Sequence, residues 1–386
     1  MLTEKRQYQL LYFVLFASGN GVAAFRNVFL EDAGLSGSQM GIIGAILVAS
    51  GMAAQPVWGI AADRYGRTKV ALAIGAVGSA LAALLYPAGM YVSSPFLVFV
   101  VASVVFSAFR SPIHPLADSM VLSSGLDYGK VRAFGSIAFG VGILALGWLI
   151  EWFGTPLIFY VYVVGMVVFV FTLRGLERPD ADIAPDLRRE GIALVKNRQF
   201  LLLLAVAVLI GAASAAGGSF FSVYMRAIDA GDSMTGAAWL LRTVAEAVVF
   251  VGAARLGLKH RGQLSLGAGA YTLSFLAYAV TGFLPMIFGI QIIHGIAIAL
   301  FGLASVNLAH HLAPDGLAST SQAVVAALGL GSGRIVGQLV GGRLVDLVGV
   351  QDLYFFVAAS TFLAGVVSLG FYLAAFEETG ESEPTT

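Results

Sequence analysis

The sequence predicts an all-α membrane protein of twelve spanning helices, and three observations carry that prediction. Of 386 residues, 58% are hydrophobic and 11% are charged, whereas a water-soluble domain needs roughly 25% charged residues to cover its surface. Mean hydropathy is +0.87, so lipid is the solvent for most of the exterior. Cutting the chain at polar or turn-rich breaks leaves runs near the ~20 apolar residues a spanning helix needs. They fall near 8–30, 39–62, 70–90, 96–121, 131–153 and 156–175, then near 199–226, 234–256, 263–283, 285–312, 319–347 and 351–376. The pattern is six plus six.

The first run begins behind Glu4-Lys5-Arg6 and reaches about Phe29. It exceeds the ~7–15 apolar residues of a signal peptide and no small-residue cleavage site follows, so it reads as a retained first span. The breaks carry turn chemistry: Gly34, Ser93-Ser94-Pro95, Gly154-Thr155-Pro156, Gly231-Asp232-Ser233 and Pro314-Asp315-Gly316. The expected organisation is a six-helix bundle over 1–175, a charged cytoplasmic linker over 176–198, a second six-helix bundle over 199–376 and an acidic tail over 377–386.

The 22 Lys and Arg residues test this topology. With the N-terminus in the cytoplasm, sixteen fall inside and only Arg26, Arg226 and Arg343 lie near the outer ends, the bias that positive-inside insertion produces. Both termini are then cytoplasmic, and the expected location is the cell membrane.

The two halves also resemble each other. Gly41 and Gly236 lie 195 residues apart, as do Gly142 and Gly337, Gly147 and Gly342, and Gly154 and Gly349. Gly-Trp-Leu-Ile-Glu-Trp-Phe-Gly at 147–154 parallels Gly-Arg-Leu-Val-Asp-Leu-Val-Gly at 342–349. Parallel six-helix repeats of this kind place a substrate site near the bilayer midplane.

Composition also sets exclusions. A net charge of zero offers no basic field for nucleic acid, and the absence of cysteine removes disulfides and thiolate metal sites. There is no H-E-x-x-H and no pair of midplane carboxylates, so an intramembrane enzyme is disfavoured. No metal or organic cofactor is expected.

Between the second and third runs the chain reads Gly59-Ile60-Ala61-Ala62-Asp63-Arg64-Tyr65-Gly66-Arg67-Thr68-Lys69. Taken blandly, this is a short basic cytoplasmic loop. The spacing G-x-x-x-D-R-x-G-R, however, resembles the loop motif of the major facilitator superfamily. The resemblance implies that fold and a conformational latch role for Gly59, Asp63, Arg64, Gly66 and Arg67. The matching loop of the second half, Gly257-Leu258-Lys259-His260-Arg261-Gly262, keeps the basic residues and lacks the Asp. Three further strings, Asp127-Tyr128-Gly129-Lys130-Val131-Arg132-Ala133-Phe134-Gly135-Ser136, Ala245-Glu246-Ala247 and Gln291-Ile292-Ile293-His294-Gly295, resemble the branch holding phenylpropionate permeases, nucleoside–proton symporters and lactose permease. No Pro lies between Gly135 and Gly154, unlike the glycine-proline pattern of the superfamily's drug antiporters.

A charge at the centre of a span costs ~2.5–3.5 kcal/mol on insertion scales, so such residues face a cavity or a partner. Arg110, His114, Arg242, Glu246, His294 and Arg334 sit at mid-depth in the predicted helices, with Asn20 and Gln338 as neutral polar companions. These eight are the candidates for substrate binding and proton coupling. Arg110, His114 and Asp118 recur every four residues, a polar stripe that either lines the pathway or supplies interhelical hydrogen bonds. Glu246 either neutralises Arg242 one turn earlier or carries substrate or proton. The histidines are open to titration or to a plain hydrogen-bonding role. His310 and His311 diverge by about 100° on a helix and make no metal pair.

Three midplane arginines against one acid favour an organic anion such as a carboxylate, which Arg binds bidentately. The expected function is secondary active transport of a small organic solute by alternating access, with proton symport driven by the proton gradient. Proton-coupled efflux and passive facilitation are the alternatives within transport. A solute sensor is the alternative outside it. A monomer in the lipid bilayer is expected.

Overall fold

A computed structural model describes residues 3–65, 67–176, 197–252, 257–313 and 317–379. The linker at 177–196, Gly66 of the loop motif and the tail from residue 380 lie outside the described residues. In chain order the α-helices are α1 (Glu4–Asp32), α2 (Gly37–Tyr65), α3 (Thr68–Ala83), α4 (Leu85–Gly89), α5 (Pro95–Arg110), α6 (Ile113–Ser123), α7 (Tyr128–Phe153) and α8 (Leu157–Thr172). A 3-10 turn, Leu173–Gly175, ends α8. Then follow α9 (Arg198–Ser219), α10 (Phe221–Ala227), α11 (Asp232–Gly252), α12 (His260–Val280), α13 (Leu284–His311), α14 (Ala318–Val324), α15 (Ser332–Val348) and α16 (Leu353–Thr379).

Among the described residues, eleven helical stretches are long and apolar enough to cross a membrane. The twelfth expected span, α12, has 21 residues but falls short in hydropathy. Gln263, Ser265, Thr272 and Ser274 dilute it, and each is absorbed by a hydrogen bond to backbone: Gln263 to Leu258, Ser265 to Arg261, Thr272 to Ala268 and Ser274 to Ala270.

Three of the predicted spans are interrupted, and one changes its winding. The span predicted near 96–121 splits into α5 and α6 at Ser111-Pro112. Proline has no N–H and its ring clashes with the carbonyl four residues back. The carbonyls four residues before Pro112 and Pro115 are those of Ala108 and Ser111. Trp58 Nε1 donates to the first at 2.9 Å and Gln55 Nε2 to the second at 3.2 Å, both from α2. Side chains of a neighbouring span thus satisfy the backbone groups that the prolines free inside lipid. The span near 199–226 breaks at Phe220, and that near 70–90 at Leu84. Val325–Gly331 winds as a π-helix before α15.

The helices gather into two compact units. The first contains Met1–Pro185, Ser219–Thr243 and Gln338–Val350; the second contains Asp186–Gly218, Val244–Gly337 and Gln351–Thr386. The first is built around buried rings. Tyr86 stacks on Phe159 with centroids 4.5 Å apart, and Phe29 meets Phe159 edge to face at 4.8 Å. Their polar tips stay satisfied, Tyr86 with Ser103 at 2.7 Å and Tyr162 donating to Ser79 at 2.8 Å. Asp127 caps α7, accepting from the Lys130 backbone N–H and pairing with its ammonium at 3.0 Å. Those contacts hold the exposed carboxyl below its ordinary range.

In the second unit, α12 packs against α13 and α16. The α9 and α15 backbones meet so closely that an added Cβ on Gly333 would lie 3.0 Å from the Val208 Cα.

Candidate functional site

Within the first unit, α1 carries a column of residues that faces the predicted polar stripe. Although α5 and α6 are separate helices, Arg110, His114 and Asp118 still line up in reverse order against α1. Tyr12 donates a very short hydrogen bond to Asp118, and Phe16 lies edge to face on His114 with centroids 5.0 Å apart. Gly19 leaves room for Arg110, whose Nη2 would sit 2.6 Å from any added Cβ. The spacing 12, 16, 19 is one α-helical face.

Arg110 is half-buried. Its guanidinium lies 5.8 Å from the ring centroids of both Phe106 and Tyr162, and among the described residues it forms no ion pair. Arg132, from α7, covers the Phe16 ring at 4.3 Å. The resulting environment is cationic and aromatic.

Asn20 is fully buried. Its amide donates to the Phe139 carbonyl at 3.2 Å, and its Oδ1 has no partner among the described residues. The Phe139 ring leads on to Trp239, with centroids 6.2 Å apart. Arg242 lies over the Trp239 ring at 3.5 Å, and the indole N–H has no hydrogen-bond partner among the described residues. Gln338 donates to Ser219 Oγ at 2.5 Å and its Oε1 is also unpartnered. An unsatisfied buried polar group costs roughly 1–3 kcal/mol, so buried and unpartnered groups are where a polar solute gains most.

The remaining candidates fall in the second unit. Glu246 is half-buried on α11 and Arg334 is exposed on α15. His294 is buried on α13 among Tyr271, Phe275 and Tyr278, with centroids 5.2, 5.0 and 6.2 Å away. His311 stacks on His260 at 5.4 Å. No group of three metal-ligating side chains occurs among the described residues.

In the loop motif, Arg64 and Arg67 are exposed. Among the described residues, an added Cβ on Gly59 meets nothing within 4 Å.

A second constellation, which the residue-by-residue reading passed over, lies in the first unit where α2 crosses α15 and α7 crosses α11. Asp346 accepts hydrogen bonds from the Gly37 and Ser38 backbone N–H groups at 2.6 and 2.8 Å, capping α2. Glu151 accepts from the Ser233 N–H at 2.9 Å and the Ser233 hydroxyl at 2.7 Å, capping α11. Asp346 follows Glu151 by 195 residues, and Ser233 follows Ser38 by the same interval. A carboxylate at a helix N-terminus satisfies orphan donors and meets the positive end of the dipole.

Both crossings are tight. An added Cβ on Gly41 would lie 3.0 Å from the Gly342 Cα, and one on Gly236 would lie 2.7 Å from the Ile143 carbonyl. Gly154 and Gly349 close α7 and α15 with φ of 79° and 89°, the left-handed region that suits glycine. Beside them Arg226 bridges Asp32 at 2.7 Å and Asp232 at 2.8 Å, while Thr155 donates to Asp32 at 2.7 Å. The repeated string around Glu151 and Asp346 was the available sequence signal. Its partners, more than eighty residues away, were not.

Spanning helices and half-buried cations facing a neighbouring helix column would be idle in a static scaffold; with the following comparisons they define a secondary transporter of small solutes. The MFS_1 like family matches residues 6–356, and the chain belongs to that family. It is 32% identical to the maltose permease of Geobacillus stearothermophilus over 98% of this chain and 97% of the permease. It is 29% identical to the probable 3-phenylpropionic acid transporter of Escherichia coli (strain K12) over 76% of this chain and 79% of that protein. The crystal structure of nucleoside transporter NupG superposes with a TM-score of 0.83 at 17% identity, covering 96% of this chain and 99% of the other. The fold is therefore the major facilitator fold that the loop motif implied.

Proposed function

We propose that this transporter carries a small organic anion, bound through a carboxylate at Arg110, by alternating access and with proton symport. The observation that carries the reading is Arg110 itself: half-buried, flanked by Phe106 and Tyr162, and without an ion pair among the described residues. A cation kept inside a span at a cost of ~2.5–3.5 kcal/mol is offset when an anionic solute arrives. The aromatic flanks suit an aryl group next to the carboxylate, and the name of the E. coli relative points the same way.

Glu246 is the proposed proton carrier, because it is the acid at mid-depth of a predicted span. The same proposal keeps the six-helix repeats 1–175 and 199–376 as the functional halves, with both termini in the cytoplasm. Asp63, Arg64 and Arg67 form the latch between halves.

A second reading, a glycoside substrate, is favoured by two specific observations. One is the near full-length similarity to a maltose permease. The other is the unpartnered pair of Asn20 Oδ1 and Trp239 Nε1, an acceptor and a donor beside an aromatic face, which is chemistry that hydroxyl-rich rings use.

Uptake into proteoliposomes under an imposed pH gradient, run with an aryl carboxylate, a disaccharide and a nucleoside, separates the two readings. Accumulation of the carboxylate, lost in R110Q, supports the anion. Accumulation of only the neutral solutes overturns it.

A further inference from the structure

We propose that the flanks of α8 form a binding site for one anionic phospholipid, with an acyl chain on each side of the helix and the phosphate against Arg174. Two grooves border this helix. One, of about 380 Å3, is lined by Gln7 and Leu10 of α1 with Val168, Phe171, Thr172 and Gly175. The other, of about 190 Å3, is lined by Val77, Ala80, Leu81 and Leu84 of the α3–α4 segment with Val163, Met166, Val167, Val170 and Phe171.

Phe171 is common to both grooves and is 55% exposed. It forms the ridge that two chains would straddle. The lining on the α3 side is wholly apolar and that on the α1 side adds Gln7 and Thr172 as its polar side chains, which suits hydrocarbon rather than a polar solute.

The headgroup end is cationic. The Arg174 guanidinium lies over the Phe171 ring at 4.6 Å and makes no ion pair among the described residues. On the α3 side the Lys69 ammonium bonds the Leu176 carbonyl at 2.5 Å, which holds a second positive charge at the same end. On the α1 side Arg6 lies one turn before Leu10, next to Lys5, with Glu4 as the acid in that turn. Among the described residues, positive charge therefore exceeds negative charge around the place where a phosphate would emerge. Basic pockets between spanning helices select anionic headgroups for this reason. A lipid that bridges α1, α3 and α8 joins three elements of the first unit and stabilises it when bound.

The test uses the purified full-length protein in mild detergent, titrated with dioleoylphosphatidylglycerol or dioleoylphosphatidylcholine, with thermal unfolding and native mass spectrometry as readouts. Phosphatidylglycerol is expected to raise the midpoint by about 4 °C more than phosphatidylcholine and to remain bound as one lipid. R174Q loses that increment and R174K keeps most of it. T172W, which fills the α1 groove and leaves the charges in place, loses it too. An equal response of the wild type to both lipids, as a groove covered by the chain's own linker would give, overturns the proposal. So does full retention of the increment in R174Q, or an equal shift produced by free glycerol phosphate.

Discussion

At the scale of single residues, the charges within and beside the spans differ in what they meet. Arg226 is answered by Asp32 and Asp232, and Asp118 by Tyr12. Arg110 is instead flanked by the Phe106 and Tyr162 rings and forms no ion pair among the described residues. R110Q is expected to lower initial uptake about tenfold or more, the value of a hydrogen-bonded charge contact. R110K, which keeps the charge and loses the bidentate fork, should recover part of it. Thermal unfolding of the two variants checks that the loss lies in transport rather than folding.

Glu246 supports a sharper test. E246Q should abolish accumulation driven by a pH gradient and leave solute exchange under equal pH intact, since exchange needs no net proton movement. Accumulation that survives in E246Q removes the proton-carrier role. Arg110, His114 and Asn20 were legible in the sequence because polar residues in apolar runs stand out. Trp239 and Phe139 were not, because an aromatic residue in a span carries no signal until its neighbours are known.

At the scale of helices, the two carboxylate caps are the informative feature. Glu151 of α7, which caps α11, and Asp346 of α15, which caps α2, are related by the repeat, and each joins helices that the chain separates widely. Losing a capping side chain costs about 0.5–2 kcal/mol. E151Q and D346N should therefore each shift the equilibrium away from these capped contacts by roughly 2- to 30-fold, and the free-energy effects should add in the double variant. The chain has no cysteine, so a single introduced cysteine at Ser233 or Ser38 reports opening by its rate of alkylation without background. G41L and G236L should act more strongly. Their side chains must displace backbone atoms across the crossings, which holds the helices apart and raises labelling further. Unchanged labelling in all four variants contradicts a gating role for these contacts.

The broken span at Ser111-Pro112 shows the same dependence on neighbours. Two prolines announce an interruption, but the answer to their freed carbonyls comes from Trp58 and Gln55 of another helix. W58F removes one of those donors and is expected to cost about 1 kcal/mol, read as a lower unfolding midpoint.

At the scale of the whole molecule, the prediction concerns orientation. The distribution of Lys and Arg predicts that Glu4 and the loop at 127–130 lie in the cytoplasm and Ser94 outside. In intact cells a cysteine at Ser94 should react with an impermeant maleimide, and cysteines at Glu4 or Tyr128 should react only after permeabilisation. The reverse pattern would invert the topology.

The sequence by itself determined the solvent, the spans and the repeat. Composition reports which atoms meet lipid, hydropathy is summed along a continuous segment, and the 195-residue interval is visible in glycines alone. Even its weak point had a local cause, since the hydroxyls and amides of α12 lower the hydropathy of an otherwise sufficient helix. Only the tertiary structure decided which groups meet. Glu151 finds Ser233, Asp346 finds Ser38, Tyr12 finds Asp118, and Asn20 Oδ1 is left without a partner among the described residues. Such pairings depend on the packing angle and rotation of helices remote in the chain, and a periodic pattern places a residue on a face without specifying what that face will touch.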